Sequence, residues 1–205
     1  MEYPSKLVQQ AIEEISKLPG IGKKSALRLV LHLLREPEDS TDQLAESLTR
    51  LRHDIQYCAT CHIIADTTEC TCRTPNRDTA VLCVVEDTPD ILAINNTAQY
   101  NGLFHVLGGV ISPMDGVGPD ELHIGSLLQR VANSNGEIKE VILALSPTME
   151  GDTTAFYLAK KLKPHHVKVS TISRGIPIGG ELEYIDEVTL GRSIRSRIQY
   201  NIEEQ

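Results

Sequence analysis

Four cysteines lie within fifteen residues of one another and have the chemistry of metal ligands. Cys58 and Cys61 form a C-x₂-C pair, and Cys70 and Cys72 follow after eight residues as a C-x-C pair. Thiols at this density in a cytosolic chain are typical of a structural zinc site. We therefore predict that all four bind zinc. Because the second pair is tighter than the usual spacing, a loop that folds without metal is the alternative.

A second set of residues with metal-binding chemistry is acidic. Glu86 ends a short apolar run, and Glu150 and Asp152 follow another such run. Ligands of open α/β sheets bind at the carboxyl ends of strands, so neighbouring parallel strands would bring these carboxylates to one edge. There they could hold Mg²⁺ through oxygen ligands. In the alternative interpretation the carboxylates only end a strand and open a helix, and no metal binds.

A third set is basic and surrounds a Pro-Gly-x-Gly turn. Residues 17–35 carry five Lys or Arg and no acid, whereas the whole chain has a formal net charge of −8. The glycines let another backbone approach closely, and the unpaired N–H groups at the start of the next helix attract anions. We predict that a DNA phosphate binds here, at Gly20, Gly22, Lys23, Lys24 and Arg28. The alternative is a plain helical connection with solvated lysines.

No residue is predicted to be catalytic. The chain contains neither G-x-x-x-x-G-K-[ST] nor G-x-G-x-x-G, so the common nucleotide-binding loops are absent. An enzyme that breaks DNA by covalent catalysis would need a nucleophile such as a tyrosine near a metal. Nothing in the sequence context of Tyr100 or Tyr157 marks either as activated.

Helical periodicity predicts the elements that carry the basic turn. A first helix should begin after Pro4 and stop at Pro19, and a second should begin near Lys23. The face that we expect this second helix to bury consists of Leu27, Val30, Leu31 and Leu34. Helix, Pro-Gly-Ile-Gly and helix together form the layout of a helix-hairpin-helix.

A third helix is predicted by a different signal. Ser40 followed by Gln43 has the spacing of a capping box at a helix N-terminus. The face that we expect this helix to bury consists of Leu44, Leu48, Leu51 and Ile55.

After residue 78 the pattern changes from helical to alternating. Short apolar runs at residues 80–86, 105–107, 141–145 and 167–172 predict buried strands. Helical patterns at residues 122–131 and 153–162, and a helix opened by Asp87 and Pro89, separate them. Strands alternating with helices predict an α/β fold with a parallel sheet flanked by helices. Cys83 lies inside the first strand and is expected to be a buried core thiol.

Composition narrows the class of protein. With 40% hydrophobic and 23% charged residues, the chain is expected to be globular and cytoplasmic. No apolar run approaches the roughly 20 residues that span a membrane. The net charge of −8 excludes uniform attraction to nucleic acid, so DNA binding requires a local basic patch.

Four segments follow from these patterns. We predict a helix-hairpin-helix domain at residues 1–56, a zinc-finger-like segment at 57–78, an α/β domain at 79–172, and a Gly-rich and helical C-terminal segment at 173–205.

Together these motifs resemble those of the bacterial recombination mediator family RecR. The matching stretches are LPGIGKKSALRLVLHLL, the four cysteines, VVEDTPDILAI, GGVISPMDGVGPDEL, PTMEGDTTA and GIPIGGELEYIDEVTLGR, which cover essentially the whole chain. The resemblance implies a Toprim domain at residues 79–172. It also implies a non-enzymatic, ring-like homo-oligomer, a dimer or a tetramer, that binds single-stranded and double-stranded DNA. Such a scaffold would act with RecO and RecF to load RecA at single-stranded or gapped DNA.

The family motifs assign roles to individual residues. The DNA-contacting positions of the hairpin fall on Lys24 and Arg28. The Toprim glutamate falls on Glu86, and the acidic pair falls on Glu150 and Asp152, which form E-x-D here instead of D-x-D. A Mg²⁺-dependent Toprim nuclease or topoisomerase-like enzyme is the alternative function. A third interpretation makes the acidic residues a docking surface for a basic partner.

Overall fold

The fold is described from a computed structural model that covers residues 5–66, 70, 74 and 76–199. The chain divides between Ile55 and Gln56 into two compact units, and each is described by itself.

The first unit consists of three helices. They are α1 at Lys6–Ile15, α2 at Lys23–Leu33 and α3 at Glu38–Asp54. Ser5 caps α1, because its hydroxyl accepts a hydrogen bond from the N–H of Leu7. The buried residues that join α1 to α2 are Ile12, Ala26 and Val30.

The sequence prediction for α1 and α2 was correct in kind and wrong in detail. Helix α1 ends at Ile15, four residues before Pro19, so the connection to α2 is a longer turn than expected. On α2 the buried residues are Ala26 and Val30, whereas Leu31 and Leu34 are largely exposed. The small side chain of Ala26 allows a close approach of α1, which a search for large apolar residues does not detect.

Helix α3 differs more from its prediction. It begins at Glu38 with Pro37 in the N-cap position, so Ser40 lies inside the helix and the predicted capping box is wrong. The acidic side chains of Glu38 and Asp39 occupy the first turn, where they interact favourably with the helix dipole without a capping hydroxyl. The predicted apolar face exists but is not buried. Leu44, Leu48 and Leu51 are 47%, 58% and 60% exposed.

The second unit contains a small ribbon and a four-stranded sheet. The ribbon pairs β1 at Gln56–Tyr57 with β2 at Ile64–Ala65 in antiparallel fashion. The sheet strands are β3 at Asp78–Val85, β4 at Gly102–Val106, β5 at Glu140–Ala144 and β6 at Lys168–Thr171. The helices are α4 at Thr88–Asn96, α5 at Ile124–Ala132, α6 at Met149–Leu162 and α7 at Glu187–Arg195. Short 3₁₀ turns lie at Pro113–Asp115, Pro119–Glu121, Lys163–His165 and Leu182–Tyr184.

All pairings within the sheet are parallel, in the order β4-β3-β5-β6. The predicted parallel α/β sheet is therefore confirmed. Strand β3 lies between β4 and β5, with Leu82 opposite Leu103 on one side and Val141 on the other.

Alternate residues of β3 belong to two different buried clusters. Leu82 and Val84 pack in the larger cluster with residues of α5 and α6, whereas Cys83 and Val85 pack in a second cluster with Ile91 of α4. Burial of both faces explains why this strand is continuously apolar from Ala80 to Val85 instead of alternating. Cys83 is a core thiol, as expected, and burial raises its pKa to about 12.

The connection between β5 and α6 determines where the acidic pair lies. The hydroxyl of Thr148 caps α6 by accepting from the N–H of Gly151 at 3.0 Å. Glu150 and Asp152 therefore lie in the first helical turn and not in a preceding loop. Among the residues described, none belongs to a helix long and apolar enough to cross a bilayer.

We expect Gly151→Ala to destabilise the second unit. A Cβ atom at Gly151 would lie 2.0 Å from the backbone oxygen of Ser146, so the connection between β5 and α6 would have to shift. Overpacking of this kind lowers the free energy of unfolding by about 1–3 kcal/mol, which urea denaturation measures. Gly125→Ala in α5 is the matched control, since a Cβ there meets nothing within 4 Å. Equal stability of the two variants would contradict this account of the connection.

Candidate functional site

Three of the four predicted zinc ligands come together in the structure. The Sγ atoms of Cys58, Cys61 and Cys70 all lie within 4.8 Å of one another, and those of Cys61 and Cys70 are 3.7 Å apart. Cys72 lies outside the described residues. No other group of three or more His, Cys, Asp or Glu residues in the described ranges brings its ligand atoms this close. The cluster is thus arranged to bind a metal ion.

The local backbone explains why Cys58 and Cys61 converge. The N–H of His62 donates to the carbonyl of Cys58 at 2.9 Å, and the N–H of Cys58 donates to the carbonyl of Ile63 at 3.0 Å. This tight turn directs the N–H of Thr60 to Sγ of Cys58 at 3.4 Å. Burial acts to raise the pKa of the Cys58 thiol, but hydrogen bonds from the backbone at Cys61 and Thr60 outweigh it and the pKa is lowered. A lowered pKa favours the thiolate, which is the form that binds metals.

Ring contacts between three histidines hold the cysteine segment against the sheet. The ring of His62 stacks on that of His123 with centroids 3.7 Å apart, and Nε2 of His62 is hydrogen-bonded to Oγ of Ser126 at 2.7 Å. His62 also meets the edge of His105, a fully buried residue of β4 whose pKa burial lowers to about 3. A backbone hydrogen bond from Val106 to the carbonyl of Cys61 strengthens the attachment.

This histidine stack was not anticipated from the sequence. The three histidines are far apart in the chain and have no regular spacing, so only the fold shows that they meet. His62 directly follows Cys61, and adjacent residues rarely ligate one ion together. Its ring nitrogen Nε2 is instead bonded to Ser126.

The acidic residues lie at the carboxyl edge of the sheet, but two of them have protein partners. Glu86 follows β3, and its Oε1 accepts a hydrogen bond from the N–H of Ser146 at 2.5 Å. The carboxylate of Asp152 forms an ion pair with the guanidinium of Arg174. Together with Glu150, these residues do not form a group whose oxygens all lie within 4.8 Å.

Arg174 was missed as a functional residue, although the sequence contained the signal. It follows β6, the neighbour of β5, so it comes to the same edge of the sheet as the residues that follow β5. Residues that follow neighbouring parallel strands meet at one edge whatever their charge, so a basic residue after β6 is expected there as well.

The basic turn presents its cations to solvent. Gly20 has a φ of +80°, a left-handed conformation that favours glycine, and a Cβ at Gly20 or Gly22 would meet nothing within 4 Å. Gly22 is the N-cap of α2, and no side chain caps that helix. The first-turn N–H groups therefore face outward without a capping oxygen. Lys23 and Lys24 are the first two residues of α2 and are exposed, as is Arg28.

The cations of the basic block are not equivalent. Lys17 is neutralised by Glu14, since its Nζ lies 2.7 Å from a carboxylate oxygen. Lys23, Lys24 and Arg28 form no ion pair within the part of the chain that the structure describes. The unpaired charges of Lys23 and Lys24 thus lie in the first turn of α2, where the helix dipole adds to them, and Arg28 follows about one turn later.

Three models of protein families match successive stretches of the chain. Residues 8–52 match the model of the RecR helix-hairpin-helix, residues 80–173 match the Toprim domain, and residues 175–198 match the RecR C-terminal segment.

Relatives match the chain along all or nearly all of its length. The chain is 58% identical to a recombination protein RecR of Cytophaga hutchinsonii over 205 residues, which is the whole of both chains. It is 57% identical to that of Amoebophilus asiaticus over 98% of this chain and 100% of the relative. Identity to the RecR of Porphyromonas gingivalis is 57% over 98% of this chain and 96% of the relative. The chain therefore belongs to the RecR family of recombination proteins.

Proposed function

We propose that this protein is a non-enzymatic mediator of recombinational repair that binds DNA through its helix-hairpin-helix. Membership of the RecR family supports the role in recombination. The observation that carries the DNA-binding assignment is the unpaired, exposed cluster of Lys23, Lys24 and Arg28 at the uncapped N-terminus of α2.

The geometry of the hairpin suits a phosphate. The open space at Gly20 and Gly22 admits a DNA strand to the backbone, and the N–H groups of the first turn can donate to phosphate oxygens. Lys24 and Arg28 are four residues apart, so they lie on one face of α2 and can contact the same strand. Contacts of this kind position the protein on DNA without reading the sequence.

The metal centre has a structural role in this proposal. The ion is zinc, held by Cys58, Cys61, Cys70 and Cys72, and it fixes the short segment that packs on the larger core cluster through Cys58 and Cys61. A site in which cysteines fill all four positions leaves none for a substrate.

The features of the acidic edge favour a scaffold over a Toprim enzyme. Asp152 is paired with Arg174, and Glu86 accepts from the backbone of Ser146. Tyr100, one tyrosine considered as a nucleophile, donates its hydroxyl to the carbonyl of Leu103 at 2.7 Å, and burial raises its pKa. These engagements argue against the Mg²⁺-dependent nuclease or topoisomerase-like alternative, and they leave the acidic edge as a surface that a basic partner domain can recognise.

Partners and assembly complete the proposal. The protein acts in the cytoplasm with RecO and RecF to load RecA at single-stranded or gapped DNA. One hairpin offers few phosphate contacts, so several copies arranged as a ring would combine weak contacts into useful affinity.

The hairpin assignment is tested by the salt dependence of DNA binding. Lys24→Gln and Arg28→Gln should each weaken binding to single-stranded and gapped DNA and lower the slope of log K against log salt by about 1, since each removes one phosphate contact. Fluorescence anisotropy with labelled oligonucleotides measures this. Lys17→Gln is the control, because it removes the same charge from a residue already paired with Glu14. Unchanged slopes for the two test variants would refute the assignment.

The zinc assignment is tested by elemental analysis of the purified protein. We expect about one zinc per chain, and we expect Cys58→Ser to lose it together with thermal stability. Cys83→Ser should keep the metal, because that thiol is buried in β3 and belongs to a different cluster. Equal metal content in the two variants, or none in the wild type, would contradict the proposal.

The assembly is tested by light scattering at micromolar concentration. We expect a mass of two or four chains, because a single hairpin provides too few contacts for stable DNA binding. Monomers alone, both with and without an oligonucleotide, would contradict the ring.

A further inference from the structure

A cleft lies between the carboxyl edge of the sheet and helix α7, entirely within the second unit. Its volume is about 500 Å³, and its walls include Leu145 and Pro147 after β5, Arg174 after β6, and Val188 and Arg192 of α7. A second hollow of about 480 Å³ shares Arg174 and Arg192 with the first. The two hollows are therefore adjacent, and together they are called the depression.

The depression is basic in a chain whose net charge is −8. Arg174, Arg192 and Arg195 line the second hollow, where Asp152 is the one acidic residue among its lining residues. Asp186 lines the first hollow, and its carboxylate already accepts from the N–H of Thr189 at 2.8 Å. Three guanidinium groups thus face two carboxylates, each of which has a partner.

Two of the arginines remain available to a ligand. Arg192 and Arg195 are three residues apart on α7 and lie on one face of that helix. Both are exposed, and neither forms an ion pair with any residue that the structure describes. Both lie in the last turn of α7, where a cation interacts favourably with the helix dipole. That interaction accounts for these two arginines but not for the presence of Arg174 in the same lining.

Arg174 is held in place by the ion pair with Asp152. A carboxylate in the acidic edge of a sheet could bind phosphate only through a bridging cation. Here the guanidinium groups of Arg192 and Arg195, which have no ion pair among the described residues, provide the positive charge beside that carboxylate, so a phosphate can be bound without a divalent ion. The hydroxyl of Ser173, which also lines the second hollow, can add a hydrogen bond.

The chemistry of these groups identifies the ligand. Guanidinium forks bind phosphate oxygens in pairs, and they do so better than single ammonium groups. The apolar wall of Leu145, Pro147 and Val188 provides contact area beside the cations for a nucleoside. We propose that this depression binds a phosphate of a single-stranded DNA chain, as a second DNA contact separate from the hairpin. The proposal rests on the DNA-binding function proposed above.

The experiment compares full-length variants by fluorescence anisotropy with labelled oligo(dT) in the presence of EDTA. The double variant Arg192→Gln/Arg195→Gln should weaken binding by about tenfold, the loss expected for hydrogen bonds to charged groups. Because the double variant removes two charges, each of its single variants is also compared with the control Arg197→Gln, which removes one charge two residues beyond Arg195 at a residue that lines neither hollow. A double variant that binds as well as this control would overturn the proposal.

Two further arms separate the outcomes. Lys24→Gln/Arg28→Gln is measured in the same assay. If only the hairpin variant loses affinity, the second contact is refuted and the proposed function stands; if neither loses affinity, both are refuted. Titration with dTMP by calorimetry distinguishes a strand from a free nucleotide. If Arg192→Gln/Arg195→Gln loses dTMP binding but binds oligo(dT) as tightly as the wild type does, the assignment to a DNA strand is overturned.

A measurement on the wild-type chain avoids any question of folding. Phenylglyoxal modifies accessible arginines, and peptide mass spectrometry reports the extent at each one. Oligo(dT) should protect Arg192 and Arg195 and leave Arg52 of α3, an exposed arginine outside the depression, unprotected. Equal modification of Arg192 and Arg195 with and without oligo(dT) would also overturn the proposal.

Discussion

Burial of strand β3 on both faces is the constraint on which the second unit depends. Its side chains alternate between two core clusters, and its backbone pairs with β4 and β5 in parallel. Parallel pairing brings the residues that follow β3, β5 and β6 to one edge. Glu86, Asp152 and Arg174 meet neighbouring groups there because the strands before them are aligned. Ring contacts of His62 then attach the cysteine segment to β4 and to the start of α5, so the position of the cysteine cluster depends on the same sheet.

Pairing of charges decides which cations can serve DNA binding. The chain has more acidic than basic residues, and several cations are neutralised within it, including Lys17 by Glu14, Lys168 by Glu140 and Arg174 by Asp152. Lys23, Lys24 and Arg28 of the hairpin and the two arginines of α7 have no such partner within the described residues. An acidic protein can therefore bind a polyanion locally, while its remaining surface repels it. This selective placement reconciles the net charge with the proposed function.

Patterns with a strong physical cause were readable from the sequence. The continuous apolar run of β3 predicted a strand buried on both sides, and the Pro-Gly-Ile-Gly turn predicted the hairpin. The sequence did not show which face of a helix is buried or which residues distant in the chain contact one another. Ala26, which is small, is buried against α1 beside Val30, and a search for large apolar residues does not detect it. His62 stacks on His123 and contacts the edge of His105, so the three rings join separate segments of the chain. No local sequence pattern predicts contacts between such distant residues.

The central claim is that DNA phosphates bind the N-terminal end of α2. Hydrogen–deuterium exchange of the full chain, with and without a saturating oligonucleotide, tests it most directly because it needs no substitution. The first-turn N–H groups after Gly22 lack a capping side chain and should exchange quickly in the free protein. The account predicts that DNA slows exchange in peptides that span Gly20 to Arg28. Unchanged exchange in those peptides, with DNA bound, would contradict it.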